Sequence, residues 1–169
     1  MKQLGYLDMI GEAVQQLSRG RALLTVGGET PNTMTIAWGS IGYCWNRPVF
    51  TVYVRPQRHT HDILCREGKF TVSIQLDDAP TDIFAFAGRT SGRDVDKLHG
   101  HGITAVPGQS VDCPVIGECQ LHFECTLCQQ TEMRGETMRS DVQAAQYVRE
   151  PEYHTIYMGE IVNCYRTDI

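Results

Sequence analysis

The sequence has no apolar run approaching the ~20 residues that a membrane-spanning helix requires, so no membrane span is expected. It also lacks the apolar stretch behind the first residues that marks a secretory leader. Positive charge is in deficit: 15 lysines and arginines face 20 aspartates and glutamates, for a formal net charge of -5. That balance argues against a general affinity for nucleic acid or for anionic lipid surfaces. No internal repeat, low-complexity tract or linker breaks the chain. Its 169 residues, 41% of them hydrophobic, suit a single domain over 1–169 with its own core. Cysteine is present but in an odd number, seven, spread from Cys44 to Cys164. Free thiols in a reducing cytoplasm fit that better than a disulfide framework.

Familiar catalytic and metal motifs are scarce too. "GHGITA" at 100–105 has the spacing of a dinucleotide fingerprint, but no strand precedes it and Pro107 follows, so it does not open a Rossmann helix. Cys125 and Cys128 spell C-x-x-C; on a strand, positions three apart point to opposite faces. His59/His61 and His99/His101 form H-x-H pairs with no third and fourth ligand at a recognisable distance, so no metal site is expected. No nucleophile stands in an evident triad.

What the chain does have is strand pattern. "ALLTVG" at 22–27, "TMTIAWGSI" at 33–41, "PVFTVYV" at 48–54, "KFTVSIQ" at 69–75, a run over 118–127 and "TIYMGEIVNCY" at 155–165 all read as strands. In the fifth of these, Cys119, Leu121, Phe123, Cys125 and Leu127 face one way, and Glu118, Gln120, His122, Glu124 and Thr126 the other. Leu7, Ile10, Val14 and Leu17 recur at helical spacing and predict a helix over 7–19, stopped by Gly20. "THDILCRE" predicts a short helix with Thr60 as N-cap and Gly68 past its end. A further helix is expected over 79–87, with Pro80 near its start and Gly88 after it. Most strands lie too close in sequence for helical crossovers, so an antiparallel sheet is favoured, closing towards a barrel.

Three polar constellations stand on this frame. "RPQRHTHDILCREGKF" places Arg55, Arg58, His59 and Thr60 around a helix start, where unpaired N–H groups and the helix dipole favour an anion such as phosphate. A capped surface helix with solvated arginines remains the alternative. "NTMTIAWGS" brings Asn32, Thr33 and Thr35 to a strand that also carries Trp38, which suits a flat heteroaromatic ligand or an ordinary strand whose hydroxyls meet water. "SGRDVDK" at 91–97 reads as a mobile flap from which Lys97 could reach an anionic atom, or as a solvated loop.

Together these pieces resemble the flavin reductase-like, FMN-binding split-barrel family, its flavoredoxin-like branch in particular. The match begins at "NTMTIAWGSIGYCWNRPVFTVYVRPQRHTHDILCREGKFTVSI" and resumes at "SGRDVDK". It continues more loosely through "CPVIGECQLHFEC" and "YMGEIV", covering most of 20–165. The resemblance implies a mainly β fold, a six-stranded antiparallel Greek-key split β-barrel with peripheral helices, and a homodimer. Carried over by position, Asn32, Thr33, Met34 and Thr35 line the isoalloxazine and ribityl chain. Arg55, Arg58, His59 and Thr60 hold the phosphate side, and Lys97 approaches from the flap. The implied function is an oxidoreductase that passes electrons from NAD(P)H or a reduced carrier through FMN to a small acceptor. A flavoredoxin-type electron-transfer protein serving a redox partner, or a non-catalytic small-molecule binding domain, are the alternatives. No catalytic side chain is required, because FMN carries the chemistry. Cys44, in the "GYCWNRP" turn, is expected close to the flavin, either redox-active or a small packed residue.

Overall fold

A computed structural model describes residues 1–79, 81–99, 101–148 and 152–167. The chain runs through β1 (Lys2–Gln3), α1 (Ile10–Ser18), β2 (Ala22–Val26), β3 (Asn32–Ile36), β4 (Gly39–Cys44) and β5 (Arg47–Val54). It continues through α2 (His59–Glu67), β6 (Lys69–Ile74), α3 (Ile83–Arg89), β7 (Ala105–Val106), β8 (Val115–Ile116) and β9 (Leu121–Glu132). A 3-10 turn (Gly135–Thr137), α4 (Ser140–Gln146) and β10 (Thr155–Arg166) complete it. The main sheet has eight strands in the order β3-β2-β6-β9-β10-β5-β4, with β1 added on β10 and every pairing antiparallel. The short β7 and β8 form a separate pair.

The expected six strands become eight partly because the segment 33–41 is not one strand. It breaks at Ala37–Trp38 into β3 and β4, which sit on opposite edges of the sheet. Seven strands laid flat span roughly 29 Å at ~4.8 Å each. The three steps from Ile36 to Gly39 reach at most about 11 Å. The sheet must therefore roll until its edges meet at this link. Among the described residues no ladder joins β3 to β4, so the barrel stays split there.

The interior is filled by alternate residues of the strands, among them Leu24, Val26, Phe50, Val52, Phe70 and Val72. Phe50 and Phe123 meet edge to face at 5.2 Å, the geometry their ring quadrupoles favour. A second cluster of Leu23, Ile83, Ala87, Leu98 and Ile116 lies on the outer side of β2, under α3. β2 is thus buried on both faces, which explains why "ALLTV" is nearly continuously apolar rather than alternating.

The polar side of β9 is buried as well. Glu124 is fully buried and accepts N–H bonds from Gln109 (2.8 Å), Ser110 (2.6 Å) and Val111 (3.0 Å). A buried carboxylate needs such partners. His122 bonds Ser73 Oγ through Nδ1 (3.1 Å) and Thr167 Oγ1 through Nε2 (3.2 Å).

Three helix boundaries differ from the sequence reading. α1 starts at Ile10, and Leu7 is exposed. The N-cap position of α2 is Arg58, whose side chain makes no cap bond, rather than Thr60, which sits second in the helix; Gly68 ends it at φ 63°, as expected. α3 spans Ile83–Arg89, so Gly88 lies inside the helix, and Pro80 falls outside the described residues. At Gly88 the helix packs closely on β3: a Cβ there would stand 3.3 Å from Thr35 Cβ. All seven cysteines are free; burial pushes the Cys113 and Cys164 thiols up to about 12 and raises Cys119 and Cys125 as well.

Candidate functional site

The start of α2, the edge strand β3 and the loop after α3 enclose a cavity of about 280 Å³. Asn32, Met34, Arg58, His59, Thr60 and Lys97 all line it. Its floor is tied by a bond from Asn32 Nδ2 to Thr60 Oγ1, 2.8 Å. Lys97 is only 4% exposed. Its Nζ donates to the carbonyls of Thr33 and Ala87, 2.8 Å each. Burial, and then the charge of Arg58, push the Lys97 ammonium down to about 8.

The expected flap is therefore fastened. Arg93 pairs with Asp62 Oδ2 at 2.6 Å and donates to the Gln57 carbonyl at 2.8 Å, strapping the loop to the entry of α2. Gly92 lets the backbone lie directly on the floor, since a Cβ there would stand 2.1 Å from Asn32 Oδ1 and 3.1 Å from His59 Cδ2.

A second cavity of about 170 Å³ meets the first at Met34 and Arg58. Its lining is more aromatic: Thr35, Trp38, Tyr53, Arg55 and His154 line it. The Trp38 and His154 rings lie 4.7 Å apart. Tyr147 Oη bonds His154 Nδ1 at 2.8 Å, and the Arg55 guanidinium lies 5.5 Å from the Tyr147 ring centre.

Of the residues singled out in the sequence, eight line one cavity or both: Asn32, Met34, Thr35, Arg55, Arg58, His59, Thr60 and Lys97. Thr33 does not. Its hydroxyl is buried against Thr25 Oγ1 (3.0 Å) and the Leu24 carbonyl (3.3 Å), so it contributes only its carbonyl, to Lys97. Cys44 is not brought there either. It faces Arg47 at the far end of the β4–β5 hairpin, next to a turn in which Trp45 and Asn46 both have positive φ. The expectation that Cys44 lies beside the ligand is not met within this chain. Sequence reading missed Arg89 and Ser91 on the polar side, and Tyr53 and His154 on the aromatic side. Ser91 stood in the quoted loop; nothing local marked His154.

The donor set suits a phosphate monoester. His59 Nδ1 is buried without a hydrogen-bond partner, its nearest carboxylate 4.0 Å away at Asp62. Burial, and then Arg93, lower the His59 pKa, which favours the neutral ring. No side chain caps the first N–H groups of α2. Arg58 adds a guanidinium, Thr60 a hydroxyl and Lys97 an amine. Among the described residues, no group of three or more His, Cys, Asp or Glu side chains is placed to hold a metal ion, and no helix is long and apolar enough to cross a membrane.

The structure thus shows a split antiparallel barrel with a cluster of hydrogen-bond donors at a helix start and an aromatic-lined cavity beside it. Residues 14–168 match the family model described as a flavin reductase like domain. The chain belongs to that family. Among solved structures it is similar to a flavoredoxin of Desulfovibrio vulgaris (Miyazaki F), at 29% identity and TM-score 0.68, covering 87% of this chain and 69% of that one. An FMN-binding protein of Thermus thermophilus is 21% identical at TM-score 0.66, covering 85% and 69%. An NADH:FAD oxidoreductase of Streptomyces globisporus, in complex with NAD and FAD fragments, is 21% identical at TM-score 0.66, covering 86% and 73%. The last two likenesses establish the fold.

Proposed function

We propose that the protein holds FMN, its phosphate in the polar cavity and its ring system in the aromatic one, and acts as an oxidoreductase through that flavin. The convergence of Arg58, Thr60, Lys97 and the unpartnered His59 Nδ1 at the start of α2 carries this reading. When bound, FMN supplies hydride or single-electron chemistry. The chain's own residues bind and orient it. Arg58 offers two parallel N–H donors to a phosphate, and Thr60 an O–H, its lone pair being engaged by Asn32. β3 is an edge strand, so one row of its backbone groups has no strand partner, the Thr33 carbonyl among them being held by Lys97. Those groups suit the polar rim of a pyrimidine ring. Trp38 and Tyr53 supply the apolar wall.

Electrons enter from NAD(P)H or from a reduced carrier and leave to a small acceptor. A carrier of flavoredoxin type is the second reading, supported by the likeness to the Desulfovibrio protein. We also propose a homodimer, for which the exposed Tyr43, Trp45 and Val162 around the β4–β5 hairpin speak; light scattering tests it. A visible spectrum of the purified protein, before and after anaerobic NADH, tests the main reading. Flavin bands that bleach support the NADH reductase, and bands that persist support the carrier. A protein that stays colourless after FMN is added overturns both.

A further inference from the structure

The far side of α2 carries a cluster of side chains that the flavin cavities do not use. His59 and His61 stand two positions apart, and on a helix such residues point in nearly opposite directions. His59 lines the polar cavity, and His61 turns to the sheet. His61 and Cys65 are four positions apart and share one face of the helix. His61 Nε2 lies 3.8 Å from Cys65 Sγ. Across from them stands Tyr157 of β10, fully buried, its ring edge-on to the imidazole at 5.9 Å between centres. Its Oη is 2.7 Å from His61 Nδ1 and 3.2 Å from Cys65 Sγ. Gln130, paired with Tyr157 across the β9–β10 ladder, brings Oε1 to 3.6 Å from the same sulfur. Cys65 itself is exposed.

We infer that Cys65 and His61 form a binding site for a single soft, low-coordinate cation of the Cu(I) class, on the other side of α2 from the polar cavity. The site stands independently of the flavin. Bonds of about 2.3 Å to sulfur and about 2.0 Å to nitrogen span the 3.8 Å between the two atoms at an included angle of roughly 120°. One ion therefore fits between them without either side chain moving. The imidazole is also fixed in the way that metal-ligating histidines are, through its other nitrogen. With the His61 proton on Nδ1 donated to Tyr157 Oη, Nε2 turns its lone pair to the sulfur, and the Tyr157 O–H is left to donate to the thiolate. The donor set decides the class of ion. Among the described residues no carboxylate or further thiol joins the pair, and Asp62 on the same helix is engaged by Arg93. Two strong donors with the Gln130 amide oxygen fall short of the four that a structural zinc takes. A hard ion would want more oxygen. Monovalent copper is satisfied by two or three ligands, and a thiolate selects it. Binding releases the Cys65 thiol proton to solvent, and no electron changes hands. The exposed side of Cys65 gives the ion its way in.

Cys128 supplies the control. It is the other exposed thiol, but the neighbour of its sulfur is a backbone carbonyl, that of Thr126 at 3.8 Å, in place of a histidine. Anaerobic titration of the reduced protein with Cu(I), in competition with the chromophoric chelator bathocuproine disulfonate, is expected to show one tight equivalent. Cys65→Ser and His61→Gln are each expected to weaken it at least tenfold, and Cys128→Ser to leave it unchanged. Tyr157→Phe, which releases the imidazole, is expected to weaken it about tenfold, the lower end for a lost supporting bond at a metal ligand. Cys65→Ser, at an exposed position, is expected to keep the parent Tm, so that its loss of Cu(I) reports the ligand and not the fold. In protein labelled with 15N at histidine, Cu(I) is expected to shift Nε2 of His61 and to leave His59 in place. Parent affinity for Cu(I) in Cys65→Ser or in His61→Gln overturns the inference. An equal loss in Cys128→Ser assigns the ion to accessible thiols in general and overturns it too. Zn(II) competing with Cu(I) on equal terms overturns the assigned class.

Discussion

Asn32 donates to Thr60 across 2.8 Å, and both side chains are buried. The bond joins the first residue of the edge strand β3 to the second residue of α2. It fixes the distance between the element that would meet the ring of a flavin and the element that would meet its phosphate. With its lone pair engaged, Thr60 has its own proton to offer.

Removing that donor together with the neighbouring guanidinium is the sharpest check of the phosphate position. Arg58→Ala with Thr60→Ala is expected to weaken FMN by about 3 kcal/mol, roughly 100-fold, as two charge-assisted bonds would. Titration of FMN fluorescence measures it. Thr60→Ser, which keeps the hydroxyl, separates the phosphate contact from mere support of Asn32. An unaltered affinity in the double variant would move the phosphate elsewhere.

Gly92 tests the floor from above. An added methyl would stand 2.1 Å from Asn32 Oδ1 and 2.7 Å from its Cγ. Either Asn32 leaves Thr60 or the loop lifts. Gly92→Ala is expected to weaken FMN at least tenfold and to cost roughly 1–3 kcal/mol of stability, the usual scale of overpacking. Parallel FMN titration and urea unfolding check both numbers.

Lys97 makes the flavin-free protein sensitive to alkaline pH. Its pKa is about 8 in the fold against an ordinary value of 10.5. Between these values the unfolded chain binds the proton that the folded chain has released, so stability rises with pH across that window. Below pH 8 the cost of the buried ammonium is fully present. Urea unfolding at pH 7.5 and 9.5 should show the parent gaining about 1–2 kcal/mol relative to Lys97→Met. Equal behaviour of the two proteins would mean that Lys97 keeps its proton.

His122 has its effect on the acid side. Burial lowers it from 6.5 to about 4. Between those values the unfolded chain binds more protons, so stability is lost as pH falls from 6.5 towards 4. At pH 5 the loss attributable to this ring is roughly 2 kcal/mol. His122→Gln is expected to flatten the acid limb of a stability-against-pH curve by one proton, even if it lowers the curve as a whole.

The strands and the helix at the site were legible where local chemistry marks their ends. α2 stops at Gly68, where the left-handed turn needs glycine, and β5 and β10 run within a residue or so of their apolar patterns. β4 was not legible as a separate strand, because Gly39, Ser40 and Gly42 give an edge strand no apolar stripe to read. α4 buries no residue and so shows no helical periodicity of its own kind. On the polar side of the site, residues adjacent in sequence carry most of the donors, which is why "RHT" could be read directly. The aromatic side is assembled by pairing. Thr155 lies opposite Val54, and only that register sets His154 beside Arg55 and Trp38. No local pattern encodes it.

Glu124 has a further consequence. Its carboxylate holds three successive backbone amides, those of Gln109, Ser110 and Val111, in a segment without regular structure around them. Letting go would strand a charge in the interior. Those three amides should therefore exchange with deuterium on the slow timescale of the central strands, giving this irregular coil the kinetic signature of a sheet.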